Sequence, residues 1–413
     1  MGNSEQICVV GLGYIGLPTA LVLAEAGNQV VGVDINQELV DTLRRGKTTF
    51  QEEGLTELFA AALANGIRFE TICPVAPLYI LAVPTPFDQI TKKIDPSFVV
   101  KAVESVLDVC KQGAILVIES TISPGTVEKY IRPAIISRGY QPGLDVHLVH
   151  APERIIPGDM IRELRYNARI IGADDRQIGE TVKAIYAGFC ENEIVVTDIK
   201  TAEMTKVVEN TFRDVNIAFA NELAKICRQD ELDVYEIIRI ANMHPRVNIL
   251  QPGPGVGGHC ISVDPWFLVG DYPELSLLIH EARKVNDSMP DYVLRRVRWI
   301  MDEHGLTDIS RIGFYGITYK EDVDDTRESP TLQIYEAMRE RLGVMGIVKY
   351  YDPLCAPGML EGQMDDFDAF VEQCDLVVIM VGHAHIRQNI DKIRGKVILD
   401  TRNICPFPEC YQI

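Results

Sequence analysis

The sequence predicts an α/β protein with two doubly wound, Rossmann-like domains joined by a long central helix and a helical dimerisation region. Two observations indicate this fold class. Short apolar runs rich in β-branched residues alternate with longer helix-like stretches at both ends of the 413-residue chain, which is the pattern of parallel α/β folds. Between these two parts, over about residues 201–297, the strand signals stop.

The expected strands follow the same rhythm in both halves. In order they are 7–10, 30–33, 79–83, 115–118 and 146–149, and then 312–315, 347–351, 376–381 and 397–399. Acidic residues end comparable strands, Asp34 in the first half and Asp352 in the second. Because doubly wound sheets bind ligands at the carboxyl ends of their strands, we expect one binding edge in each half.

Residues 201–227 predict one long helix. The segment starts with a threonine, carries Glu203 in its first turn, and contains neither glycine nor proline, as helix-start rules require. Such a helix spans about 40 Å. It also carries large apolar side chains, namely Val207, Phe212, Ile217, Phe219 and Leu223. We therefore expect a domain connector that also forms a subunit interface, in a homodimer or a higher homo-oligomer.

Charge and composition exclude several classes of protein. Fifty-nine acidic against 40 basic side chains give a net charge of −19, which argues against binding a nucleic-acid backbone. The longest uncharged stretch, 6–24, is interrupted by three glycines and Pro18, so we interpret it as strand, loop and helix rather than a membrane span. With no basic signal region and ten scattered cysteines, we predict a cytoplasmic protein with reduced thiols.

The first strand leads into a glycine-rich loop with Gly11, Gly13 and Gly16, followed by a helix over 17–26. In this context the glycines allow a tight turn, close approach of a pyrophosphate and close helix packing, and the helix N-terminus faces the phosphates. Asp34 is placed to bind a ribose hydroxyl, and no arginine for a 2′-phosphate follows it. The pattern favours NAD over NADP, the alternative being a glycine turn without a ligand.

Two further predicted strands end in small polar residues, Val83-Pro84-Thr85-Pro86 and Glu119-Ser120-Thr121. At these ends they can line the crevice for nicotinamide and its ribose. Proline and threonine also commonly end strands for local reasons, so each segment alone leaves both interpretations open.

One cysteine stands apart from the other nine. Cys260 follows a loop with four glycines in six residues, Gly253 to Gly258, and such a loop allows close approach of the backbone to a ligand. We interpret Cys260 as a candidate nucleophile; His259 is its neighbour, but adjacent side chains of an extended loop point apart. Asp264 is expected in a first helical turn.

Lys206, Asn210 and Arg213 are spaced i, i+4, i+7, on one face of the predicted long helix. A solvated polar stripe is one interpretation, and a cation with an amide facing a developing oxyanion is the other. A nucleophilic thiol beside a dinucleotide fold suits oxidation of an aldehyde, because the thiohemiacetal can lose hydride and leave a thioester for hydrolysis. That chemistry needs a cation near the oxygen and a carboxylate to activate water.

These motifs resemble the UDP-glucose/GDP-mannose dehydrogenase family over essentially the whole chain. The resemblance rests on the segments 11–18, 83–86 and 119–121, on Pro152-Glu153-Arg154, on the Lys206/Asn210 helix, on 257–260, and in the tail on Tyr319-Lys320 and 327–330. Segments 244–267 and 201–223 look most like the branch that oxidises UDP-N-acetyl-D-mannosamine. The family oxidises the sugar C6 alcohol to a carboxylate with two NAD, which is the function that the resemblance implies.

The resemblance also implies a role for individual residues. Cys260 would be the nucleophile, Lys206 the proton-handling cation, Asn210 an oxyanion ligand and Glu153 an aid to thioester hydrolysis, with Asp264 orienting Lys206 or the water. The NAD-binding residues would be Gly11, Gly13, Tyr14, Ile15, Gly16, Asp34, Thr85, Thr121 and Arg327. The UDP-sugar would contact Arg154, Ile155, Lys206, Asn210, Arg213, His244, Arg246, Gly257, Tyr319, Lys320 and Arg402, and Arg246 can come from the partner subunit.

The implied domains are an NAD-binding domain over 1–197, a helical dimerisation domain over 198–297 and a UDP-sugar-binding domain over 298–413. A nucleotide-binding or regulatory protein without turnover is the alternative of a different class, and UDP-N-acetylglucosamine or UDP-glucose are alternative substrates. The pairs His147/His150 and His383/His385 have metal-like spacing but no further ligands nearby in the sequence, so no metal site is predicted.

Overall fold

The computed structural model describes residues 6–258, 260–342 and 348–413. The chain groups into two compact units, Met1–Glu209 and Asn210–Ile413. Each unit contains one largely parallel sheet, which confirms the predicted α/β fold with two Rossmann-like domains.

The sheet of the first unit has eight strands. They are β1 (Gln6–Val10), β2 (Gln29–Val33), β3 (Arg68–Glu70), β4 (Leu78–Leu81), β5 (Ala114–Ile118), β6 (Val146–His150), β7 (Arg169–Ala173) and β8 (Ile194–Thr197). Their order is β3-β2-β1-β4-β5-β6-β7-β8, and β6 and β7 pair antiparallel whereas the other neighbours are parallel. Val9, Ile80 and Val117 are fully buried, as in sheets covered on both faces.

Three strands of this sheet lie outside the sequence-based prediction. Strand β3 has only three residues and ends in charged ones, and β7 starts with an arginine. Strand β8 is only partly buried. Strand β3 lacks an apolar run, and β7 and β8 carry only short ones, over 170–171 and 194–196. Each strand is stabilised by its neighbours in the sheet.

The helices of the first unit follow the strands in the expected alternation. They are α1 (Gly16–Glu25), α2 (Gln37–Arg44), α3 (Leu55–Ala64), α4 (Ser97–Leu107), α5 (Arg132–Ser137), α6 (Met160–Tyr166) and α7 (Arg176–Tyr186), with a π-helical turn over Val127–Ile131 before α5. Side-chain caps set two of the starts: Asn36 accepts hydrogen bonds from two backbone amides of α2, and Asp175 accepts one from α7.

Helix α8 (Ile199–Gln229) has 31 residues and runs from the first unit into the second. It starts two residues before the predicted range because Asp198, and not Thr201, supplies the cap: the Asp198 carboxylate accepts from the Thr201 amide (2.9 Å) and hydroxyl (2.6 Å). Among the described residues no helix, α8 included, is both long and apolar enough to cross a membrane.

The two sides of α8 differ in character. Polar side chains are buried along one side, and large apolar side chains are exposed along the other. The buried set is Glu203, Lys206, Asn210, Asp214 and Asn221, and the exposed set is Val208, Phe212, Phe219 and Ile226. This arrangement is the reverse of an ordinary surface helix, so each side requires a separate explanation.

The second unit has the parallel strands β9 (Ile312–Tyr315), β10 (Lys349–Tyr351), β11 (Leu376–Ile379), β12 (Val397–Asp400) and β13 (Tyr411–Gln412), in the order β10-β9-β11-β12-β13. The predicted strand over 347–351 starts at Lys349, and its residue 347 lies outside the described residues. The helices are α9 (Val234–Ala241), α10 (Asp264–Asp271), α11 (Leu277–Asp287), α12 (Met289–His304), α13 (Pro330–Leu342), α14 (Phe367–Gln373) and α15 (Ala384–Gln388), with 3₁₀ turns at Ile309–Arg311 and Ile390–Ile393.

Candidate active site

The three glycines between β1 and α1 serve different purposes. A Cβ atom on Gly11, whose φ is +90°, would lie 2.6 Å from the Ala82 carbonyl oxygen, and one on Gly16 would lie 1.8 Å from the Gly11 oxygen. The fold itself therefore requires these two glycines. Around Gly13, in contrast, a Cβ would meet nothing within 4 Å. The open space at Gly13 fits the pyrophosphate of a dinucleotide at the start of a helix.

Asp34 follows β2 and contacts this loop. Its Oδ2 accepts a hydrogen bond from the Leu12 amide, and its Oδ1 accepts one from the Asn36 amide, both at 2.9 Å. The carboxylate is thereby fixed beside the glycine loop, in the place where NAD-binding folds present an acid to the ribose hydroxyls. Beside the loop, Tyr14 stacks on Phe50 with ring centroids 4.4 Å apart, and Ile15 is partly buried.

The segments after β4 and β5 are joined by hydrogen bonds. The Thr85 hydroxyl donates to the Thr121 carbonyl oxygen at 2.6 Å, and the Ser120 hydroxyl donates to the Val83 carbonyl oxygen at 2.7 Å. The two polar strand ends found in the sequence are therefore neighbours at the carboxyl edge of the sheet. This edge is where ligands of doubly wound folds bind.

A buried ionic cluster surrounds Glu153. Its Oε2 contacts the Arg169 guanidinium, and its Oε1 accepts from the Arg154 amide at 2.6 Å. A second buried carboxyl group, that of Glu119, lies 3.8 Å from the same guanidinium. The sequence analysis names Glu119 only as part of the segment 119–121 and does not name Arg169. The available signal was an arginine at the start of an otherwise apolar run, 169–173, since a buried arginine needs a partner.

The candidate nucleophile lies next to a buried amide–carboxylate pair. Of the ten cysteines, eight are free and Cys260 is the exposed one among these. Cys405 and Cys410 form a disulfide, so the prediction of reduced thiols is wrong for this pair. Asp264 is the first residue of α10, as predicted, and its amide donates to the Cys260 carbonyl oxygen at 2.9 Å. The Asp264 carboxylate accepts from the Asn210 amide at 2.6 Å, and both side chains are buried. The prediction that Asp264 orients Lys206 or the water is not tested by this contact.

The glycine loop before Cys260 packs on the segment that carries Tyr319 and Arg327. A Cβ on Gly257 would lie 2.6 Å from the Tyr319 Cβ atom, and the Gly258 amide donates to the Arg327 carbonyl oxygen at 2.9 Å. The same loop meets Arg402, since a Cβ on Gly253 would lie 2.8 Å from its guanidinium. Burial lowers the Arg402 pKa, as expected for a desolvated cation. These contacts bring Gly257, Tyr319 and Arg402 to one region of the second unit.

The remaining residues predicted for the site differ in their exposure and in their partners. Lys206 and Asn210 are buried, whereas Arg213 on the same helix is exposed, so the predicted common polar face does not extend to Arg213. His244 and Arg246 are also exposed, and Lys320 is partly buried. Ion pairs engage two of the predicted arginines: Arg154 contacts Glu209 at 2.5 Å, and Arg327 contacts Asp325 at 2.6 Å. Ile155, beside Arg154, is buried.

One histidine of each pair is buried and has a structural partner. His150 is fully buried and contacts the Ile118 carbonyl oxygen through Nδ1 at 2.9 Å, and burial lowers its pKa to about 4. His383 lies 3.2 Å from the Asp352 carboxylate and accepts from the Asp322 amide. Within residues 6–258, 260–342 and 348–413, no group of three or more His, Cys, Asp or Glu side chains is arranged to hold a metal ion.

The glycine loop with Asp34 fixed beside it is the pattern of a dinucleotide-binding fold, and residues 5–190 match an NAD binding domain. The chain is an NAD-dependent oxidoreductase, as predicted. It belongs to the UDP-glucose/GDP-mannose dehydrogenase family, whose central domain matches residues 200–288 and whose UDP binding domain matches residues 313–406. The resemblance found in the sequence is thereby confirmed.

Individual relatives are similar along their whole length. The NDP-N-acetyl-D-galactosaminuronic acid dehydrogenase of Ralstonia nicotianae is 43% identical, over 97% of this chain and 96% of that protein. The UDP-N-acetyl-D-mannosamine dehydrogenase of Methanocaldococcus jannaschii is 41% identical, over 98% and 93%. Among solved structures, the UDP-N-acetyl-mannosamine dehydrogenase Cap5O of Staphylococcus aureus has a TM-score of 0.87 at 40% identity and 99% and 98% coverage. The UDP-D-ManNAc dehydrogenase of Pyrococcus horikoshii has a TM-score of 0.90 at 37% identity, with 99% of both chains covered.

Proposed function

We propose that this enzyme oxidises the C6 hydroxyl of a UDP-N-acetylhexosamine to the carboxylate, and that its substrate is UDP-N-acetyl-D-mannosamine. NAD-dependent oxidation of a UDP-sugar is the activity that the family match supports. The choice of sugar rests on the relatives that are named UDP-N-acetyl-mannosamine dehydrogenases. They are 41% and 40% identical to this chain, against 43% for the relative from Ralstonia nicotianae.

The observation that carries the four-electron chemistry is the exposed Cys260 beside the buried Asn210–Asp264 pair. One alcohol, two NAD⁺ and one water give one carboxylate, two NADH and three protons. NAD, when bound, takes up the hydride in each of the two oxidations. Between them the Cys260 thiolate adds to the aldehyde carbon, and after the second oxidation the resulting thioester is hydrolysed, so that the C–S bond breaks and the thiolate is released.

We assign the remaining steps to buried polar groups. Lys206, which is 5% exposed, removes the proton of the C6 hydroxyl and then stabilises the oxyanion of the tetrahedral intermediates. Asn210 donates a second hydrogen bond to that oxygen, with its amide held by Asp264. Glu153 receives a proton from the water that attacks the thioester. A cation, an amide and a carboxylate are the groups that this chemistry needs.

For the substrate, we propose that Tyr319, Lys320 and Arg402 bind the uridine diphosphate, because they belong to the segment that matches a UDP binding domain. Arg154, Ile155, Arg213, His244 and Gly257 are proposed further contacts of the UDP-sugar, and Arg327 is proposed to reach the NAD phosphates. A partly buried arginine such as Arg402 favours an anion, because less water competes for it than at the surface.

We also propose that the enzyme is a homodimer formed through α8. Val208, Phe212, Phe219 and Ile226 are between 46% and 66% exposed and share one side of this helix. An unpartnered apolar stripe on a long helix is typical of a self-complementary two-fold contact. Arg246 is exposed, which leaves it available to the partner's substrate.

A panel of UDP-sugars with NAD tests the proposal. We expect UDP-N-acetyl-D-mannosamine to give the highest kcat/KM and two NADH per sugar. The relative from Ralstonia nicotianae supports a galacto-configured N-acetylhexosamine as the second candidate, and UDP-N-acetylglucosamine and UDP-glucose complete the panel. If binding occurs without NADH formation for every sugar, the chain is a nucleotide-binding protein without turnover and the proposal is wrong.

A further inference from the structure

A single arginine lies between two buried carboxyl groups in the first unit. The Arg169 guanidinium contacts Glu153 Oε2 and lies 3.8 Å from Glu119 Oε1. The side chains of Arg169 and Glu153 are each 4% exposed, and that of Glu119 is fully buried. The guanidinium also packs over the rings of Tyr186 and Phe189, with its central carbon 5.0 Å and 4.9 Å from their centroids. Arg169 is therefore held rigidly and out of water.

The three charged groups do not balance if both acids are ionised. Two carboxylates and one guanidinium would leave one negative charge in a water-free environment, which is costly. Among the described residues, the groups that act most on the Glu119 carboxyl group are Thr19 of α1, Tyr186 of α7, Arg169 of β7 and Glu153, and Arg169 is the cation of this set. A single proton on one acid makes the cluster neutral.

The surroundings indicate that Glu119 carries this proton. Glu153 has a guanidinium on one oxygen and an amide donor on the other, which suits a carboxylate. Glu119 accepts from the Tyr186 hydroxyl at 3.1 Å through Oε1, while its Oε2 is buried and has no hydrogen-bond partner among the described residues. Burial, together with the charge of Glu153, raises the pKa of Glu119 to about 8. The Thr19 hydroxyl faces the same carboxyl group and acts to lower its pKa, but this effect is smaller than that of burial.

We propose that Arg169 and Glu119 are positioning residues for Glu153. Arg169 fixes the Glu153 carboxylate, and Glu119, being protonated and neutral, does not compete for the Arg169 guanidinium. This inference rests on the proposed role of Glu153 in thioester hydrolysis. When Glu119 loses its proton, it competes for the guanidinium and weakens the hold on Glu153. The hydrolysis step, and not the hydride transfers before it, is then the step that slows.

The protonation of Glu119 can be tested without turnover. Infrared spectroscopy separates the carbonyl stretch of a carboxylic acid from that of a carboxylate, so we expect the wild-type protein to show an acid band that disappears between pH 7 and pH 9. Glu119→Gln should lack this band, and Glu180→Gln, which changes an exposed acid on the helix of Tyr186, should keep it. Absence of the band in the wild type, or its survival in Glu119→Gln, would contradict the proposal that Glu119 is protonated.

The link to Glu153 is tested by the kinetics of Glu119→Gln and of two Arg169 variants. Glu119→Gln keeps the shape of the protonated acid but cannot titrate, so the decline of kcat that we expect for the wild type near pH 8 should be absent from its pH profile. Arg169→Met should lower the steady-state kcat at least about tenfold but leave the initial burst of two NADH per site intact, and Arg169→Lys should restore part of the rate.

An unchanged pH profile in Glu119→Gln, or a burst slowed in Arg169→Met as much as the steady state, would overturn the positioning role. Thermal unfolding and NAD binding identify a variant that has failed to fold, and in that case the Glu119→Gln comparison decides. If the wild type oxidises no UDP-sugar, the proposed function fails, whereas the infrared titration still decides whether Glu119 is protonated.

Discussion

Asn210 and Asp264 form a buried hydrogen bond of 2.6 Å between the long helix α8 and the first residue of α10. A carboxylate can only accept hydrogen bonds, so Asp264 fixes the amide nitrogen of Asn210 toward itself. Four residues earlier in the chain lies Cys260, whose carbonyl oxygen accepts from the Asp264 amide. One aspartate therefore connects the loop that carries the candidate nucleophile with the proposed oxyanion ligand.

Replacing this aspartate should affect the chemistry more than substrate binding. Asp264→Asn allows the Asn210 amide to rotate, so we expect kcat to fall about 10²-fold, as when one oxyanion donor is lost. The KM for the nucleotide sugar should change less than about threefold. Glu274→Gln, an exposed change shortly after α10, is the control. A variant whose KM rises while kcat is kept would assign Asp264 to binding instead.

Cys260→Ser should be almost inactive in producing the carboxylate. A serine hydroxyl is a weaker nucleophile at neutral pH and a poorer leaving group, so we expect kcat to drop at least about 10³-fold. The matched control is Cys110→Ser, a partly buried cysteine of the first unit. Mass spectrometry of the wild type after rapid quenching should show the sugar bound to Cys260. A serine variant with full activity would contradict covalent catalysis.

Asp34→Ala should weaken NAD binding and leave the nucleotide sugar almost unaffected. The carboxylate both faces the expected ribose position and holds the Leu12 amide of the glycine loop, so its loss should raise the Kd for NAD about tenfold or more. Titration calorimetry measures both ligands, and Glu38→Ala, an exposed acid on α2, is the control. Preference of the wild type for NADP would show that this strand end has been misinterpreted.

Phe212→Glu should convert the proposed dimer into monomers. Phe212 is 66% exposed on the apolar side of α8, and a charge at the centre of a two-fold contact faces its own copy. Light scattering after size exclusion measures the mass. Leu275→Glu, where the leucine is 83% exposed in the segment between α10 and α11, should not change it. The dimer proposal fails if both variants have the wild-type mass, or if the wild type is already monomeric.

The stability of the protein should depend on pH through Glu119. Its pKa is raised to about 8 by burial, whereas in the unfolded chain it returns to about 4.3. The folded protein thus keeps a proton that the unfolded chain releases, so the free energy of unfolding falls as pH rises from about 4.5 to 8. Glu119→Gln has no such titration. The Tm of the variant relative to wild type should therefore rise steadily over this range, and a constant difference would contradict the protonated state.

Much of the fold follows from local patterns. The strands β1 and β2, the glycine loop between β1 and α1, and the continuous helix α8 all have a signature within a short stretch of residues. Strand β7 has no such signature, because it starts with Arg169, and a charged residue is stable there only with the partners that the folded chain provides. The pairing of β7 antiparallel to β6 is equally invisible in a local pattern.

The roles of Glu153, Asn210 and Asp264 come from the resemblance to the family and stay predictions, and the sequence does not show which residues they contact. The partners came only with the structure: Glu153 contacts Arg169, and Asp264 contacts Asn210, which is 54 residues away in the chain. Exposure was similarly unpredictable, because Arg213 shares the helical spacing of Lys206 and yet lies in solvent. Such properties depend on what the rest of the fold places against each residue.

Helix α8 sets a limit on how this protein can be re-engineered. The buried polar side chains and the exposed apolar ones occupy opposite sides of one continuous helix, so their relative angle is fixed by the number of residues between them. Inserting or deleting one residue would rotate everything beyond that point by about 100°. A substitution on α8 can be compensated by a neighbour, whereas a change in its length would alter the proposed catalytic groups and the proposed dimer contact together. Linkers and tags therefore belong in loops, and the length of α8 should be kept constant in any chimera.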